Sequence, residues 1–136
     1  MRTSTRTSAL VAVLASTVLV TGCGADKRTS AMCTAWGHYT PIVAGLDTGS
    51  ANPATMLASA TSGLRSLHQM RTVADETDAD AVDEATVSLN AFITALRTHP
   101  ADVETERLDF LDAHQTLADR SEEHTSELQS HLNLVC

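Results

Sequence analysis

An all-α fold, a small three- to four-helix antiparallel bundle, is what three observations in this 136-residue chain predict. Apolar residues recur at spacings of three and four along four segments, the period of a one-sided helix. No segment shows the strict alternation or the β-branched clustering of a strand. Short turn-rich stretches separate the periodic runs, which favours antiparallel neighbours. Aromatic residues are only 3% of the chain, so the core must rely on Leu, Ala, Val and Met. Small side chains let helices approach closely but bury modest area per residue.

The first helix is expected over residues 31–46, where Cys33, Trp36, Tyr39 or Thr40, Val43 and Leu46 form one stripe and Ser30 can cap. Pro41 removes a backbone donor and crowds the carbonyl four residues back, so a kink or break is expected at residues 38–40. Residues 47–52 (DTGSAN) are turn material. Asn52 then caps a second helix, with Pro53 at its first position, where the missing N–H costs nothing. That helix should reach about Val73, with Met56 or Leu57, Ala60, Leu64, Leu67 and Met70 or Arg71 inward. Gly63 inside it weakens an isolated helix by about 1 kcal/mol, a loss that close approach of a neighbouring helix can offset.

Residues 74–80 (ADETDAD) read as an acidic linker, with Asp78 or Asp80 starting a third helix that runs to Thr98. Val82, Ala85 or Thr86, Leu89, Phe92 or Ile93 and Leu96 give it the clearest amphipathic pattern in the chain. His99-Pro100 stops it, because the residue before proline avoids the helical region. A fourth helix begins at Ala101 or Asp102, with Val103, Arg107, Phe110 or Leu111, His114 and Leu117 or Ala118 inward. Glu104 and Glu106 fall in its first turn, where the helix dipole favours negative charge.

The N-terminus carries an address. Arg2 and Arg6 precede an apolar run over residues 9–20, and Val20-Thr21-Gly22-Cys23 closes it. This is the layout of an export signal: a positive start, an apolar middle and a small-residue cleavage site. As a helix at about 1.5 Å per residue, residues 9–22 span roughly 21 Å, short of the roughly 30 Å of a bilayer core. Val20-Thr21-Gly22-Cys23 resembles the lipobox of bacterial lipoproteins position for position. The resemblance implies cleavage between Gly22 and Cys23, a diacylglycerol thioether on Cys23 and an acylated new amino terminus. It makes residues 1–22 a signal peptide and residues 23–30 (CGADKRTS) the lipidated cysteine and a short polar tether. The helical domain then covers residues 31–119, anchored to the extracytoplasmic face of the cell membrane.

The other end is foreign in character. Residues 120–130 (RSEEHTSELQS) resemble the translation of a common sequencing adapter in one reading frame. The match resumes in frame at Leu134-Val135-Cys136 after a short variable stretch. Residues 120–136 are therefore expected to be a non-native tail, and the helical domain to be C-terminally truncated.

Nine Lys and Arg against 17 Asp and Glu leave a net charge of −8. That argues against nucleic acid, whose phosphates need a basic footprint, and against polybasic adhesion to anionic lipid. With Cys23 assigned to lipid and Cys136 to the tail, Cys33 remains. Export permits disulfides, so a mate for Cys33 is expected in the missing C-terminal portion. A buried thiol acting as a small apolar side chain is the alternative.

Catalytic and metal patterns are weak. In the acidic run 75–84, Asp78 and Asp80 could open a calcium loop, but Val82 cannot be the third ligand. Asp83 replaces the required glycine and Leu89 the required glutamate, which leaves a solvated linker feeding a helix. His38, His68, His99 and His114 fall on separate elements without the spacing of zinc ligands. There is no G-x-S-x-G elbow and no glycine-rich phosphate loop. Asp109 and Asp112 suit an exposed helix face, and Trp36 and Tyr39 suit core or rim better than a ligand contact. The expectation is a non-enzymatic binding or interaction module of the cell envelope, with no cofactor and a membrane contact through Cys23. A carrier of a small apolar ligand between helices and a metal-handling lipoprotein are the alternatives.

Overall fold

A computed structural model describes residues 25–49 and 52–132, and the export signal, Gly22 and Cys23 lie outside them. Among the described residues there are four helices and no strand: α1 (Ala25–Asp47), α2 (Pro53–Arg71), α3 (Glu76–Thr98) and α4 (Val103–Leu132). Each helix packs mainly on its chain neighbour, so the order round the bundle is α1, α2, α3, α4, with a sparser seam between α4 and α1. The expected all-α antiparallel bundle is the observed one.

The core follows the expected stripes. Tyr39, Val43 and Leu46 of α1 meet Met56, Ala60, Leu67 and Met70 of α2, and Val82, Ala85, Leu89 and Phe92 of α3 join them with Phe110 and Leu117 of α4. Gly63 is buried on α2 where side chains of α1 and α3 meet it. A Cβ built on it would stand 3.4 Å from both Ile42 Cγ2 and Leu89 Cδ2.

The caps are local chemistry. Asn52 Oδ1 accepts from the Thr55 amide at 3.0 Å, with Pro53 beside it as expected. Gly49, at φ +60°, turns the chain after α1, and its amide donates to the Leu46 carbonyl. His99 leaves the helical region at φ −134°, as the following proline demands.

Three expectations need correction. First, α1 begins at Ala25 and not at residue 31, so all of the supposed tether but Cys23 and Gly24 is helical or leads straight into helix. Ser30 is no cap; its carbonyl accepts from the Thr34 hydroxyl within the helix. Second, Pro41 neither breaks nor ends α1. It is solvent-exposed, so the Gly37 carbonyl it leaves without an amide faces water. Third, α3 starts at Glu76 because Asp75, not Asp78 or Asp80, is its cap. The Asp75 carboxylate accepts from the amides of Thr77 and Asp78 at 3.0 and 2.9 Å. Beyond Asp119, α4 continues without a break. The Glu, Gln, Leu and Ser that follow are ordinary helix residues, so that continuity carries no information about their origin.

Gly37 and Gly45 lie on the exposed face of α1 with open space around them. Replacing either by Ala should raise unfolding stability by about 0.5–1 kcal/mol in urea titrations. Gly63→Val should instead lower it, since the added methyls would enter the contact with Ile42 and Leu89.

Candidate functional site

The seam between α1 and α4 collects the chain's unusual side chains. On α4, Arg107 replaces an apolar residue in the inner stripe and is nearly buried, its side chain 11% exposed. Its guanidinium donates to the Asp47 carbonyl at 3.0 Å and to the Leu46 carbonyl at 3.4 Å, the last carbonyls of α1. Nε and Nη2 together grip the Glu104 carboxylate at 2.9 and 2.7 Å. A planar fork suits this double duty, and a cation at a helix C-terminus also complements the dipole. The hydrogen bonds from Arg107 hold the Glu104 carboxyl below the usual carboxylate range, with the nearby positive charge adding to the effect.

Two turns further along α4, His114 packs against Trp36 and Tyr39 of α1, whose own ring centroids are 5.7 Å apart. Its ring centroid is 5.9 Å from Trp36 in a near-stacked pose, 23° between planes. It is 5.4 Å from Tyr39 in an edge-on pose. Tyr39 is fully buried, and its hydroxyl has no hydrogen-bond partner; neither has the buried Nδ1 of His114. Burial pushes the Tyr39 phenol up, so it stays neutral. Burial also pushes His114 below its ordinary value, and the Asp47 carboxylate opposes this only in part.

The other residues singled out by sequence are scattered. Cys33 is half-buried and disulfide-bonded, with its mate outside the described residues. His38, His68 and His99 are exposed on α1, α2 and the α3–α4 connection. No three His, Cys, Asp or Glu side chains gather within reach of one metal among the described residues. In the acidic run, Asp75 caps α3 and Asp83 pairs with Arg71 at 2.8 Å on the surface. An open groove of about 540 Å³ lies between the start of α1 and the end of α2, lined by Lys27, Ala31, Thr34, Ala35, Gln69 and Val73 among others. The hydroxyl of Thr34 is spent on its own helix.

Sequence reasoning placed Arg107 and His114 on the inner face but assigned neither a task. The available signal was an arginine in an apolar stripe with a glutamate three residues earlier. No family model, curated protein or solved structure matches this chain.

Arg107→Met should cost about 2 kcal/mol in denaturant titration, because the last carbonyls of α1 lose their buried donor. Arg107→Lys should recover little of it, since an ammonium cannot span both the carbonyls and Glu104. Tyr39→Phe should leave stability unchanged or raise it by about 1 kcal/mol, because it deletes a buried hydroxyl that has no partner.

Proposed function

We propose that this chain is an exported bacterial lipoprotein, held to the outer face of the membrane through Cys23 and acting as a non-enzymatic interaction module. The observation that carries the reading is Val20-Thr21-Gly22-Cys23 directly after a positively charged, then apolar, segment too short to span a bilayer. Among the described residues no helix is long and apolar enough to cross a membrane. Two or more chains are needed for lasting attachment, at about 0.8 kcal/mol per buried methylene. Only Gly24 separates Cys23 from the first residue of α1, so the bundle would ride close to the lipid surface. The start of α1, the end of α2 and the start of α3 share that pole.

The interaction role draws on the α1–α2 groove, which is open rather than enclosing. An open groove suits surface contact better than the carrier alternative, which needs a pocket that covers most of its ligand.

Intact mass of the membrane fraction, with labelled palmitate fed to the cells, tests the anchor. The expected product starts at Cys23, carries diacylglyceryl and label, and loses both in a Cys23→Ser variant. A sulfur in a thioether cannot also sit in a disulfide. A soluble, unlabelled product, or one with Cys23 joined to Cys33, therefore overturns the reading. Genomic sequencing across codon 120 tests the origin of the tail in the same strain.

A further inference from the structure

The α1–α4 seam is the one helix pairing in the ring not made by chain neighbours, and its described polar contacts are few. At the end near the helix connections it is tied by Arg107 to the Leu46 and Asp47 carbonyls. At mid-height it is closed by His114 against Trp36 and Tyr39. We propose that this seam is an acid-released joint: protonation of the His114 imidazole frees α4 from Trp36 and Tyr39 while the α1–α2 and α3–α4 pairs stay packed.

The chemistry follows from what surrounds the ring. A neutral imidazole needs one acceptor and one donor site, whereas an imidazolium has two N–H groups to satisfy. Nδ1 is buried with no acceptor in reach. From α1, the titratable groups toward it are Tyr39, held neutral by burial, and Asp47, an exposed carboxylate lying 4.0 Å from Arg107. On its own helix, the Arg107 guanidinium lies about two turns earlier and its partner Glu104 about three. From α3 the fully buried side chains are apolar, while Asp78 in its first turn is half-buried with one carboxylate oxygen enclosed, and from α2 the buried set adds only Gly63 and Ser66. The faces of Trp36 and Tyr39 offer some cation–π attraction to the charged ring, on the order of 1 kcal/mol. Burial outweighs it together with Asp47, which is why His114 titrates below its ordinary value. Opening the seam by a few ångströms would admit water to Nδ1 and to the Tyr39 hydroxyl at once.

The sign is fixed by linkage. The open seam binds a proton at the ordinary histidine value of about 6.5, and the closed seam only at lower pH. The open form therefore holds more protons in that interval, and closure weakens as pH falls through it. Above about pH 6.5 closure is fully present, and below the closed-state value no further loss accrues.

Trp36 is the only tryptophan in the chain and packs against both His114 and Tyr39, so its emission reports the middle of this seam. The test follows Trp36 emission and acrylamide quenching from about pH 8 to about pH 4 in the full mature chain, with helicity recorded by circular dichroism. The expected result is a red shift and steeper quenching with a midpoint below about 6.5, at constant helicity. His114→Gln and His114→Phe should each abolish the transition, and the second also preserves the ring packing. A flat wild-type profile, the same transition in a folded His114 variant, or loss of helicity at the same midpoint overturns the proposal.

Discussion

A four-helix ring built from consecutive hairpins has three seams made by chain neighbours and one that must be made across the whole chain. Here that last seam depends on Arg107, sixty residues from the carbonyl it grips at Asp47. Helix C-termini leave carbonyls without intrahelical donors, and burying them unmatched is costly. The guanidinium meets that need for α1 while Glu104 neutralises it on the solvent side. The Glu104 carboxylate is 68% exposed, so the ion pair itself adds little; what matters is the donor placed over the end of α1. Nothing else described fixes the height of α4 against α1 so directly.

The parts of the fold written in local chemistry were legible. Asn52-Pro53 marked the start of α2, and His99-Pro100 marked the end of α3, each by a rule that needs only adjacent residues. The α3 stripe from Val82 to Leu96 was plain because its apolar period is long and unbroken. Gly63 was read as a close-approach position, and it lies against Ile42 and Leu89. The start of α1 was missed because Ala25-Asp26-Lys27-Arg28-Thr29-Ser30 has no apolar period. Lys27, Arg28 and Ser30 are all exposed there, so no inward stripe marks the start. Pro41 misled for a related reason: its cost depends on which way the face points, and exposure is a tertiary fact.

The seam was legible only in its membership. Periodicity turned Trp36, Tyr39, Arg107 and His114 inward, yet it cannot say which helices will face each other. Arg107 could have capped its own loop, and His114 could have stood on the rim like His38, His68 and His99. The pairing appears only when the ring closes. The same limit applies to Cys33, whose disulfide mate lies outside the described residues and whose position on α1 gives no clue to it.

Stability alone does not account for the residues at the middle of that seam. Phenylalanine at position 39 and leucine at position 114 would fill similar volume without leaving a phenol and an imidazole nitrogen buried and unmatched. Each such group costs about 1–3 kcal/mol, a large share of what a domain this small has to spare. The cost is also concentrated where the ring is least securely joined, one step from the Arg107 clamp and on the helix nearest the membrane anchor proposed for Cys23. A fold under selection for rigidity would put its polar liabilities at solvent-facing positions, where water satisfies them. Placing them in the closing seam makes closure conditional on solvent access and protonation, and that condition is what sets α1–α4 apart from the other three seams.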